Sequence, residues 1–294
     1  MNTVQSTIYG LEKLIALLLG QTPVIDAHSS MNERLDILAN AQPTATEKYT
    51  LGIMVAGNMG HETEVGVQGI PLTSIVDHMA TNASLYGPMP FCMRLVDNDI
   101  DAGKRAKYAL RKILLGPDNQ NYYAYYGLRI TTDLNTVKIL KKKITTEPGS
   151  PPIEEIFVPS SKDMYPDPVT LPNTGAVTTT DVKVSASALL PVLMNADDIE
   201  EYVNCAKILY KGDERYAIWS EFALCLGANR VINVDSTAGQ VPFLESVGTQ
   251  IYTFAADYKA VYYNSQELSL VFDVGCQVPL LGTMSIPTLE TIGN

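Results

Sequence analysis

Seven prolines fall between Glu147 and Pro172, at positions 148, 151, 152, 159, 166, 168 and 172. Each removes a backbone donor and fixes φ, so neither a helix nor an inner strand is expected to run through this stretch. The sequence therefore predicts an N-terminal α+β region over 1–146, a proline-rich arm or linker over 147–173, and a C-terminal α+β region over 174–294. The two flanking regions could still join as one continuous domain. Ile153, Ile156, Phe157 and Val158 lie inside the arm, and a purely solvated linker has no need of them. They are expected to anchor it on a neighbouring subunit or on its own surface.

The flanks carry both strand and helix periodicities. An opening helix places Ile8, Leu11, Ile15 and Leu18 on one face, widened by Leu14 and Leu17, and is expected to be buried or packed on a partner. Ser30 caps a short helix from Met31 to about Ala39, with Glu33 at the capping-box position. Residues 47–55 alternate as a strand, and Gly57, Gly60, Gly66 and Gly69 break the next stretch into loops around a short strand at Val65 and Val67. Asp99 or Asp101 can cap a helix from about Ala102 to Leu115, stopped by Gly116-Pro117. Tyr122 to Ile130 reads as a strand that turns at Asp133 to Thr136 into a second strand, Val137 to Ile144, as a hairpin. Beyond the arm come a strand over Val182 to Leu190, a helix from Asn195 to about Tyr210, and a strand from Tyr216 to Leu226. A last hairpin is expected from Tyr252–Tyr262 through Asn264-Ser265-Gln266 into Leu268–Val274. The fold class is α+β, with largely antiparallel sheets and a few short helices. A helix ending at Gly116, followed by Asp118 and a Tyr-rich strand, and another ending at Gly212, followed by Asp213 and a strand opening with Tyr216-Ala217, suggest a pseudo-repeat of a helix–strand unit.

Charge is uneven. Residues 94–143 hold eleven Lys or Arg against five Asp, a surplus of +6, which leaves −17 for the rest of a chain whose total is −11. An even spread of −11 would repel nucleic acid. The uneven one suits head-to-tail contact between copies of one protein, or is simply a solvated basic helix. Lys104, Lys107 and Arg111 are the partner-binding candidates in this segment, beside Ile153, Ile156 and Phe157 in the arm. Charged residues make up only 18% of the chain, so part of its surface is expected to be covered by partners. Cys92, Cys205, Cys225 and Cys276 show no Cys-x-x-Cys spacing and read as reduced core residues. The apolar run at Leu14–Leu19 is too short to span a bilayer, and the first eleven residues carry no charged side chain, so neither membrane anchoring nor secretion is expected.

Motifs for chemistry are sparse. The chain has three histidines, His28, His61 and His78. His61-Glu62 with Asp77-His78 has no helical metal-ligand spacing and reads as a glycine-rich surface loop with idle side chains. Gly57-Asn58-Met59-Gly60 lacks the endings of a phosphate-binding loop. Ser220-Glu221 lacks a nucleophile elbow and reads as core or interface polarity. Asp197, Asp198, Glu200 and Glu201 fit the first turns of a helix. No catalytic residue, metal or cofactor is implied. The sixteen tyrosines fit half-buried sheets and protein interfaces better than nucleic-acid stacking.

The segment Tyr86-Gly87-Pro88-Met89-Pro90-Phe91 to Asp97-Asn98-Asp99-Ile100, then Lys104 to Arg111 and Tyr122-Tyr123-Ala124-Tyr125-Tyr126, resembles virion structural proteins of large tailed bacteriophages. So does Lys211-Gly212-Asp213-Glu214-Arg215-Tyr216-Ala217-Ile218-Trp219-Ser220-Glu221, and the similarity runs over roughly 49–262. It implies a non-enzymatic neck, connector, tail or baseplate ring component, made in the host cytoplasm and carried in the virion. Its partners would be copies of itself and other virion proteins, with no membrane. Two other classes compete: a small-molecule enzyme with a loop-built site near His61, and a nucleic-acid-binding module using 94–143.

Overall fold

The computed structural model describes residues 3–66, 71–147, 149–165, 181–236, 239–262 and 267–280. The chain divides into two units, residues 1–131 with 193–268 and residues 132–192 with 269–294. The first opens with β1 (Thr3–Ser6), α1 (Ile8–Leu18), α2 (Met31–Leu35) and β2 (Tyr49–Gly57). The hairpin β3 (His61–Val65) and β4 (Pro71–Ile75) comes next, then β5 (Pro88–Met89), β6 (Cys92–Leu95), α3 (Ala102–Arg105), β7 (Tyr108–Leu115) and β8 (Asn121–Arg129). The second unit contributes β9 (Ile139–Thr146), β10 (Ile153–Ile156), α4 (Ser161–Met164) and most of β11 (Asp181–Met194). The first resumes with α5 (Ala196–Leu209), β12 (Ile218–Ser236) and β13 (Gly239–Ala260), and β14 (Leu268–Pro279) returns to the second. The pairings β1–β13, β13–β12, β12–β2, β2–β5, β2–β8, β8–β6, β8–β7, β3–β4, β10–β9 and β9–β11 are all antiparallel, so the expected α+β class with largely antiparallel sheets is what the chain adopts.

The first unit is built on a sheet in the order β1-β13-β12-β2-β8-β6, with β5 on β2 and β7 on β8. Its spine is the β12–β13 ribbon, whose register slips at Trp219/Glu221, Leu224/Cys225 and Leu226/Ala228. Such bulges add twist and bend the strand. The sheet curls until β7 meets β13, and at this closure Arg111 of β7 donates to Asp235 O of β12 and Arg129 of β8 to Leu244 O of β13. Curling explains why β8 is buried on both faces from Tyr122 to Leu128. The core joins Met31 and Leu35 of α2, Ile53 and Val55 of β2, Leu110 of β7, Cys205 of α5, Cys225 of β12 and Phe254 of β13. Cys92, Cys205 and Cys225 are buried free thiols as expected, whereas the free thiol of Cys276 is exposed. No helix of the described residues is long and apolar enough to cross a membrane.

Five expectations are corrected. Residues 102–115 form one short helix and then β7, because Gly116 N–H donates to Gln120 O at 2.8 Å across a tight turn with Asn119 at φ 62° and so delivers 108–115 to β8 as a partner. Leu110 and Leu114 belong to a helical stripe and to an alternating one alike, and long-range pairing decides between them. Gly116 therefore ends a strand while Gly212 comes after a helix, so the two copies of the suggested repeat differ in structure. The strand at 139–146 exists but pairs with β10 and β11, not with the Tyr122–Ile130 strand. The late hairpin is likewise not formed: β13 pairs with β12 and β1, and β14 lies beside β11 in the sheet β10-β9-β11-β14. Finally, the proline segment is neither a boundary nor wholly irregular. It falls within the second unit, where Ile153–Ile156 forms β10 against β9 and Phe157 N–H donates to Lys141 O at 2.8 Å. Residues 148 and 166–173 of the expected arm lie outside the described residues.

Candidate functional site

Two features of the first unit stand out as surfaces, and between them lies a buried polar cluster. The first surface is α1. Thr7 caps it by accepting from Gly10 N–H at 2.9 Å, and its hydroxyl also donates to Ile251 O. Gly10 then sits against β13 so closely that a Cβ there would be 2.6 Å from Tyr252 Cα. One turn on, Lys13 is buried with its ammonium 2.8 Å from Glu12 and 3.7 Å from Asp26. The helix thus rests on its glycine and lysine, and its apolar face points away. Ile8, Leu11, Leu14, Ile15, Leu17, Leu18 and Leu19 are all exposed, Leu18 to 78%. Soluble monomers seldom leave a contiguous apolar patch of this kind open to water.

The polar cluster centres on Glu221, which is fully buried in β12. Its carboxylate accepts from Tyr86 N–H at 2.9 Å and Gly87 N–H at 2.8 Å, and lies 2.9 Å from His78 Nε2. The His78 ring is sandwiched between Tyr86 and Phe254, at centroid distances of 4.5 and 3.9 Å. Ser220 Oγ accepts from Gly60 N–H at 2.8 Å. A Cβ at Gly57 would lie 2.4 Å from the Glu221 carboxylate, and one at Gly60 2.8 Å from the Glu221 Cβ. The glycines of Gly57-Asn58-Met59-Gly60 thus admit a carboxylate and a strand backbone rather than a phosphate. Ser220-Glu221 is core polarity, as its sequence context indicated.

Beside the cluster opens a cleft of about 800 Å³ whose lining includes Asn58, His61, Tyr210, Tyr216, Tyr258 and Tyr262. Tyr210 and Tyr216 stack at 4.1 Å and 9°. The Asn58 amide fixes that pair by donating to Tyr210 Oη at 2.9 Å and Tyr216 O at 3.2 Å. His61 meets Tyr258 edge-on at 4.9 Å. Burial holds the His61 imidazole below its ordinary range, with the Glu221 charge pulling the other way. His61 lies in the β3–β4 hairpin, not in the loop expected for it, while Glu62 beside it is exposed and His78 is spent on Glu221. Among the described residues no group of three or more His, Cys, Asp or Glu could hold a metal ion.

The predicted contact residues do not share one face. Lys104 is exposed on α3, but Lys107 pairs with Asp198 at 2.9 Å. Arg111 is buried, 3.4 Å from Asp99 and stacked 3.6 Å above the Tyr123 ring. Arg105 and Tyr125 also bond Asp99, and Arg94 pairs with Glu201. Much of the basic segment is thus neutralised inside the unit, which weakens both the head-to-tail charge argument and the nucleic-acid alternative. Ile153 and Ile156 are exposed, at 56% and 71%, on edge strand β10, and Phe157 is half-buried. The cleft tyrosines were missed in the sequence because they come from a helix end, a turn and a strand far apart in the chain.

A family profile matches residues 1–288 of this chain. The chain belongs to DUF7208, a family of unknown function. No curated protein and no solved structure matches it.

Proposed function

We propose that this member of DUF7208 is a non-enzymatic structural subunit of a tailed-bacteriophage particle, a ring component of its neck, connector, tail or baseplate. It is made in the host cytoplasm and carried in the virion. The observation that carries the reading is the inverted packing of α1, with Gly10 and Lys13 inward and Ile8, Leu11, Leu14, Ile15 and Leu18 outward. A helix so apolar is stable in water only when its outer face is covered, and in a ring the cover is a neighbouring copy. The edge strands β1, β10 and β14 add backbone donors and acceptors for further contacts with copies or other virion proteins. Both oxygens of Glu221 are occupied by His78, Tyr86 and Gly87, which leaves the His61 cleft without that carboxylate as a free acid or base.

The test is the native assembly. Purified particles should contain the chain in several copies per ring, and imaging should find α1 covered by an interface of about 1,000 Å² or more. A chain absent from purified particles, or present as a monomer with α1 facing solvent, would overturn the reading. Turnover of a small molecule that is abolished by His61→Ala would favour the enzyme class instead.

A further inference from the structure

We infer that the tyrosine-lined cleft of the first unit is the seat for the proline segment Tyr165–Pro172 of a second copy, so that each subunit holds its neighbour by an arm. The identity of the occupant as a second copy rests on the assembly reading above; the chemistry of the seat does not. Tyr216 and Tyr258 leave 47% and 40% of their surface open in a concavity, and the Tyr210–Tyr216 stack is already locked by Asn58. A rigid wall of half-exposed phenol rings offers flat apolar faces for proline rings and hydroxyls for unpaired carbonyls. This is how aromatic grooves take polyproline II ligands.

The chain carries a segment of that chemistry. Polyproline II has three residues per turn. Read at that period, the sequence would set Tyr165, Pro168 and Leu171 on one ridge, Pro166, Val169 and Pro172 on a second, and Asp167, Thr170 and Asn173 on the third. Bound in that conformation, the segment would present two apolar ridges to an aromatic cleft and keep one polar ridge in water. The segment begins in the open, since Met164 and Tyr165 at the end of α4 are 74% and 77% exposed. Residues 166–172 lie beyond the described part of that stretch. Proline already restricts the unbound segment, so seating it costs little ordering entropy.

The test uses three full-length chains: the natural one, an arm variant (Pro166→Ser, Pro168→Ser, Pro172→Ser) and a cleft variant (Tyr216→Ser, Tyr258→Ser). A synthetic peptide of residues 162–174 is titrated onto each by calorimetry. It should bind the arm variant, whose cleft is empty, and bind the cleft variant at least about tenfold more weakly, while a scrambled peptide binds neither. No binding to the arm variant overturns the inference, and because that variant keeps its cleft tyrosines, misfolding of the cleft is not an escape. In sedimentation, each variant alone should lose association, and an equal mixture should form pairs, since one intact arm and one intact cleft remain. Peptide binding without such pairing would mean that the segment folds back onto its own chain, which overturns the second copy as occupant. Unchanged assembly of both variants would defeat the arm contact and leave the subunit reading standing. A natural chain absent from phage particles would defeat that reading, with the peptide titration still deciding the seat.

Discussion

The two longest helices, α1 and α5, invert each other. By sequence α5 is the more polar, with Asp197, Asp198, Glu200 and Glu201 in its first half, yet it is tied into the fold at every turn. Asn195 and Asp198 close a capping box, Lys107 pairs with Asp198 and Arg94 with Glu201. Its inner face buries Ile199, Tyr202, Cys205 and Ala206. By sequence α1 is nearly all apolar, yet it turns Gly10 and Lys13 to the core and its leucines to water. Apolar patterning states that a face must be covered and leaves open by what. In α5 the cover is β6 and Trp219 of the same chain; in α1 the leucines stay exposed.

If that contrast holds, the largest effect on folding should come from α5. Tyr202 is fully buried and meets Trp219 edge-on at 5.5 Å. Tyr202→Ala should cost about 3–5 kcal/mol of stability, read as a lower denaturant midpoint. A loss near zero would mean that α5 is no better anchored than α1.

The comparison also depends on pH, through the strand that supports α1. Burial pushes the Glu245 carboxyl in β13 up to about 8, against the pull of the Arg111 backbone N–H and the Arg129 and Arg111 charges. The folded chain therefore keeps a proton that the unfolded chain releases near pH 4.5. Its contribution is complete below that pH, falls as pH rises towards about 8 and is flat above it. Relative to Glu245→Gln, the natural chain should lose up to about 5 kcal/mol of stability across this window. Urea titrations of both proteins at several pH values measure the difference, and parallel curves would contradict the buried acid.

The smallest effect on folding should come from α1. Ile15→Ser with Leu18→Ser removes apolar surface that is 56% and 78% exposed, so stability should stay within about 0.5 kcal/mol for each change. The same variant should lose association in sedimentation or fail to enter particles. A strongly destabilised monomer would show that these side chains serve the core.

Much of the fold was legible because its causes are local. The caps Ser30 and Asn195, the stop at Gly212, the strand at 49–57 and the buried cysteines derive from spacing and residue chemistry within a few positions. The failures are failures of pairing. Residues 108–115 carry a stripe that suits a helix as well as a strand, and only the turn at Gly116–Gln120 and the tyrosine-rich β8 beside it choose the strand. Likewise β9 and β14 were recognisable as strands, but their partners lie across the chain from their sequence neighbours. In the candidate sites the same division holds. The apolar run of α1 and the anchors Ile153 and Ile156 were readable as residues, but not the direction they face, nor the cleft that collects Tyr210, Tyr216 and Tyr258.

The order of amino acids alone settles which stretches can be helix or strand, where they must stop, and which side chains avoid water, because these depend on backbone sterics and transfer free energies acting residue by residue. Which strand meets which, and whether an apolar face turns inward, is a matter of contacts between distant parts of the chain. Gly10 lets β13 approach α1 on the side that carries Lys13, and once that contact is made the leucines have nowhere to point but out.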